Sequence, residues 1–175
     1  MQLLLMTGGI IHPYDRSTPV LKEFLTDAGH EVIVREDSDA LILLVCSMGA
    51  RLYPLLHQLL SKSKQFMLKV SPMFDIKLGI EQLQYVNEVH VVSVKNEVKE
   101  LLFLGSNKAN EQPKVLCVNL DTDQPDFDFS YGDEEGIDAP LGSVSDYLYE
   151  PNSSIIKSGA FKSIAAEYSL IKLHP

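Results

Sequence analysis

The sequence predicts an α/β protein, a mainly parallel β-α-β sheet with helices on its faces followed by a small α+β region. Short β-branched apolar runs alternate with stretches whose apolar residues recur at helical spacing, and Gly, Pro and Asn punctuate the boundaries. The chain has 175 residues, 45% of them hydrophobic, which suffices for a sizeable core in one domain or two small ones.

Residues 2–6 form an apolar run stopped by Thr7-Gly8-Gly9, the pattern of a buried strand entering a tight loop. Thr18 and Pro19 then open a helix over 19–28 with Val20, Leu21, Phe24 and Leu25 on one face, and Gly29 closes it. Strands follow at 31–35 and 41–46, and Leu52, Leu55, Leu56 and Leu59 mark a second helix over 52–60. A strand at 66–70 ends at Ser71-Pro72, a helix covers 74–83, and the β-branched run at 88–94 is the clearest strand of the chain. Asn96 as a cap and Glu97 in the first turn predict a helix over 95–104. Strands are expected at 114–120 and 126–131, a mobile connection at 132–142, a helix from Asn152 through Tyr168 and a last short strand at 171–173.

The longest uninterrupted apolar run, 41–46, falls far short of the roughly 20 residues of a membrane helix, so a cytoplasmic protein without membrane association is expected. Cys46 and Cys117 each sit in an apolar strand, where a buried reduced thiol is the ordinary reading. A net charge of −9 excludes a surface built to coat nucleic acid, and DNA is not expected as a partner. The charge is uneven, because residues 121–150 hold ten acids and no Lys or Arg, whereas Lys157, Lys162 and Lys172 face only Glu167 further on.

Gly8 and Gly9 can bring backbone amides to an anion, although an ordinary tight turn has the same residues. His12 and Asp15 share a loop at the carboxyl end of a strand, where α/β folds place their sites. Lys69, before the stiff Ser71-Pro72 turn, can reach a phosphate or carboxylate, or can simply snorkel to water. These three are the catalytic candidates; Gly8, Gly9, Ser71 and Pro72 are the cofactor candidates. Tyr147 and Tyr149 can stack on bases or pack against the protein. No three or four ligands converge, so no metal site is expected.

The strings Leu68-Lys69-Val70-Ser71-Pro72-Met73-Phe74-Asp75-Ile76, Glu88-Val89-His90-Val91-Val92-Ser93-Val94-Lys95-Asn96-Glu97 and Tyr147-Leu148-Tyr149-Glu150-Pro151-Asn152 occur in this order. From about residue 48 to 175 the chain resembles the C-terminal part of a bacterial class I S-adenosylmethionine-dependent methyltransferase family, with ferredoxin-like and THUMP-like regions. The resemblance implies that 66–70 is a late strand of the catalytic sheet. It also implies RNA modification as the setting and S-adenosylmethionine as the cofactor, with structured RNA contacting Lys157, Lys162, Lys172, Tyr147 and Tyr149. Upstream of Met48 the family's glycine-rich cofactor turn and its Asp-Pro-x-Arg-type motif are not found, so the chain alone is expected to be inactive and to bind the cofactor poorly.

Thr7-Gly8-Gly9-Ile10-Ile11-His12-Pro13-Tyr14, Ala28-Gly29-His30-Glu31-Val32 and Glu36-Asp37-Ser38-Asp39-Ala40-Leu41 are similar to the opening of ThuA-like domains, with their glutamine-amidotransferase-like fold. The expected organisation is a composite sheet region at 1–85, a ferredoxin-like region at 86–140 and a THUMP-like region at 141–175. The alternative functions are a ThuA-like domain for a small carbohydrate-related ligand and a non-catalytic module binding RNA or protein. Whether the chain is an enzyme stays open at this point, because its catalytic motifs are absent.

Overall fold

The structure, a computed structural model, describes residues 31–33, 41–46, 65–108 and 110–173. Its strands are β1 (Glu31–Ile33), β2 (Leu41–Cys46), β3 (Gln65–Val70), β4 (Val86–Val94), β5 (Glu97–Ser106), β6 (Lys114–Leu120) and β7 (Phe127–Ser130). Its helices are α1 (Ile76–Leu83), α2 (Tyr131–Gly136), α3 (Ser153–Ser158) and α4 (Phe161–Glu167). The strands form one sheet in the order β1-β2-β3-β5-β4-β6-β7.

The expectation of a mainly parallel sheet is corrected here. Only β2 with β3 and β4 with β6 run parallel; β1–β2, β3–β5, β4–β5 and β6–β7 are antiparallel. Short connections account for β4–β5 and β6–β7, since a tight turn can only return a strand antiparallel to its neighbour. β5, folded back from β4, inserts antiparallel between β3 and β4, which themselves point the same way. The helix expected over 95–104 is β5 instead. Lys95 and Asn96 both have positive φ, 51° and 59°, and form the two-residue turn of a β-hairpin in which Val94 pairs with Glu97. The Asn that reads as a helix cap is a turn residue, and β5 lies between β3 and β4, where Leu101 and Phe103 are fully buried.

The chain buries one face of this sheet. Phe66, Leu68 and Val70 on β3, Val89 and Val91 on β4, Leu101 and Phe103 on β5, and Val115 and Cys117 on β6 alternate with half-buried or exposed residues. α3 packs across β4, β5 and β6, with Ile155 and Ala160 joining the core. α1 begins at Asp75, whose side chain accepts from Leu78 N at 2.9 Å, and packs Ile76 and Leu83 inward. Gly79 permits this approach: a Cβ there would lie 2.6 Å from the Phe74 ring and 2.7 Å from the Phe103 ring.

Two further expectations change. Tyr131, read as the end of a strand, and residues 132–136, read as part of a mobile connection, together form α2, capped by the Ser130 hydroxyl. The single helix expected over 152–168 is two, because Gly159 at φ 78° closes α3 before α4 starts. Residues 171–173 make one parallel bridge, Lys172 with Leu141, fixed by Gly142 N to Lys172 O and Lys172 N to Pro140 O, both 2.9 Å. The strand expected at 2–6 and the helices at 19–28 and 52–60 lie outside the described residues, as does most of the ThuA-like opening. Among the described residues no helix is long and apolar enough to cross a membrane.

Candidate functional site

β3, β4 and β6 point the same way, so their carboxyl ends and the loops leaving them gather at one end of the sheet, where α/β folds assemble sites. The loops are 71–75, 95–96 and 121–126, and the segment entering α3 lies across them. Two hydrogen bonds hold that segment in place. Asn96 Oδ1 accepts from Ser153 N at 2.8 Å, and Lys157 Nζ donates to Phe74 O at 2.9 Å. The three strings singled out in the sequence therefore meet here: the first supplies Phe74, the second Asn96, and the third leads directly into Ser153 and Lys157.

Beneath this surface lies a buried polar network that the strand periodicity does not reveal. Asn119 Oδ1 accepts from the hydroxyls of Ser93 at 2.8 Å and Ser154 at 2.9 Å, its Nδ2 donates to Pro125 O, and its N–H donates to Asp126 Oδ1 at 2.7 Å. Ser93 and Ser154 are fully buried, so each hydroxyl needs an internal partner. Asn152, two residues before Ser154, caps α3 through Ile155 N. A Ser and an Asn at the inward positions of β4 and β6 are the only sequence sign of this network, since an apolar residue is expected there.

Cys117 is likewise internal. Burial pushes its thiol up to about 11, against hydrogen bonds to Ser158 and Ser154 that act in the other direction. Such a thiol is not a nucleophile at neutral pH. Burial also pushes the Tyr131 hydroxyl well above its ordinary value, and that hydroxyl donates to Ser158 O at 2.8 Å.

Lys69 lies on the half-buried face of β3 and pairs with Glu100 at 2.9 Å, on the opposite side of the sheet from Phe66 and Leu68. The Ser71 hydroxyl accepts from Met73 N at 3.3 Å and Ser71 O accepts from Phe74 N at 3.0 Å, while Pro72 is half-buried, so this loop serves a turn. Gly8, Gly9, His12 and Asp15 lie outside the described residues. S-adenosylmethionine needs close backbone approach at a glycine-rich turn and an acid for its ribose hydroxyls. Asp75, the carboxylate of the 71–75 loop, caps α1, and no glycine stands in that loop, so this loop does not fit the cofactor.

Lys157 is tied to Phe74 O, Lys162 Nζ donates to Glu135 O at 3.3 Å, and Lys172 is held through its backbone in the bridge to Leu141. Tyr147 and Tyr149 are largely exposed, with ring centroids 6.4 Å apart. The structure does not draw the three lysines into one cluster by any shared contact. Among the described residues no group of His, Cys, Asp or Glu is placed to hold a metal ion.

A ferredoxin-like domain family matches residues 147–175, the segment from Tyr147 through α3 and α4. It thus falls downstream of 86–140, which here forms β4 to β7 and α2. The chain is also similar to the crystal structure of a candidate methyltransferase from Porphyromonas gingivalis W83. The two are 34% identical with a TM-score of 0.62, over 71% of this chain and 32% of that one. The chain therefore spans about a third of that protein's length. No curated protein matches it.

Proposed function

We propose that this chain belongs to a methyltransferase-type protein of RNA modification, in which the described residues act as scaffold and do not themselves form the cofactor site. The similarity to the Porphyromonas gingivalis protein, at 34% identity over 71% of this chain, carries the reading. The meeting of the three strings at the carboxyl ends of β3 and β4 supports it, because pieces distant in sequence then serve one place. RNA as the substrate class rests on the resemblance, with Tyr147 and Tyr149 exposed for base stacking.

Two measurements test the reading separately. In calorimetric titration, S-adenosylmethionine is expected to bind this chain more weakly than micromolar, and a micromolar Kd overturns the scaffold assignment. In a filter-binding assay, structured RNA is expected to be retained weakly and to be released by salt. A folded chain that retains no RNA at low salt defeats the RNA part and leaves the non-catalytic, protein-binding alternative.

A further inference from the structure

Between β7 and α4 lies an open groove of about 410 Å3. Phe129 is buried, Phe127 and Ile137 are half-buried, and the two phenylalanine rings stack with centroids 6.4 Å apart, which gives the groove an apolar floor. Asp133 and Glu167 also line it, both exposed and acidic, while Asp128, between the two phenylalanines on the strand, borders it with its side chain on the opposite face of the sheet. Among the described residues β7 is the last strand of the sheet, so the groove lies at its margin. Asp128 pairs on that other face with Lys114 at 2.8 Å, and one Asp133 oxygen accepts from the Ser130 hydroxyl at 2.7 Å, which leaves its second oxygen for an occupant. The chain around β7 adds to the charge, since residues 121–150 carry ten acids and no Lys or Arg.

We propose that this groove docks a basic peptide segment, with an arginine or lysine stem lying on the phenylalanines and the charged head against the carboxylates. Such side chains have both parts the groove offers partners for: methylenes that cover apolar surface and a cation that suits aromatic faces and acids. Nucleic acid is disfavoured at the same place, because phosphates would face the carboxylates of Asp133 and Glu167. The inference is independent of the methyltransferase reading, since it uses only the chemistry of the groove.

The test is fluorescence anisotropy of a labelled short peptide alternating arginine and leucine, titrated with the whole chain. A glutamate-for-arginine peptide and a single-stranded RNA serve as competitors. Ala166→Trp places an indole at an exposed lining position of α4 and fills the groove. The arginine peptide is expected to bind in a salt-sensitive manner, with at least about tenfold loss in Ala166→Trp and about threefold loss in Glu167→Gln. Should thermal melting show that Ala166→Trp is unfolded, the charge reversal Glu167→Arg carries the test, with a larger loss expected than for Glu167→Gln. Absence of peptide binding, equal affinity in wild type and the Glu167 variants, or preference for the RNA over the arginine peptide overturns the proposal.

Discussion

Asn119 joins three elements through one side chain, taking hydroxyl protons from β4 and α3 and giving its amide to the loop before β7. Replacing it with Ala strips these bonds from a site that is 7% exposed. Ser93 and Ser154 retain other acceptors, Val118 O and Asn152 Oδ1, which limits the damage. Asn119→Ala is therefore expected to cost about 2–3 kcal/mol, measurable by urea unfolding as a lower midpoint with an unchanged slope.

Cys117 sets a pH dependence at the same scale. Its folded value, about 11, lies above the ordinary 9.0, so the folded state keeps the proton that the unfolded state gives up first. The stability this provides is fully present below about pH 9 and is lost as pH rises from about 9 towards about 11. Tyr131, shifted upward by burial, acts in the same direction at higher pH. A shallower decline of the melting temperature over that interval is expected for Cys117→Ala; an unchanged decline would assign the alkaline loss to other groups.

At the scale of elements, the hairpin between β4 and β5 uses a lysine where the backbone is left-handed, at φ 51°. Asn tolerates that conformation better, so Lys95→Asn is expected to stabilise the protein by about 0.5 kcal/mol, read as a raised melting temperature. The partner strand has the opposite sensitivity. A Cβ at Gly105 would collide with Tyr85 O and the Phe66 ring, so Gly105→Ala is expected to cost about 3 kcal/mol in denaturant titration. α4 depends on a distant cap: its N-cap residue Ala160 has no side-chain acceptor, and Glu134 on α2 takes Lys162 N and Ser163 N instead, both at 2.7 Å. This explains a buried carboxylate in the acidic stretch that the sequence alone presents as a solvated linker.

For the whole molecule, the RNA reading must be tested without disturbing the junction between α3 and the loop before α1. Lys157→Glu breaks the bond to Phe74 O as well as removing a cation, whereas Lys162 reaches the Glu135 carbonyl at a more exposed position. Lys162→Glu is thus the cleaner variant, expected to lower weak RNA retention severalfold with little change in melting temperature. Retention unaffected by this variant and by salt would place any RNA contact elsewhere.

Individual strands were legible where burial and β-branching coincide, as in β4 and β6, and α1 was legible from its apolar spacing, while its Asp75 cap was not. β5 was not, because Asn96, Glu97, Lys99 and Glu100 have the local preferences of a helix start and only the pairing with β3 and β4 outweighs them. Lys69 and Ser71 were visible as polar residues at a strand end, while their engagement with Glu100 and Met73 was not. Local periodicity already dictates which face of each strand is apolar, since alternate side chains point to opposite sides whatever the neighbour. Strand order, direction and the closing of α3 over the carboxyl ends depend on partners tens of residues away, and those choices belong to the packed tertiary structure.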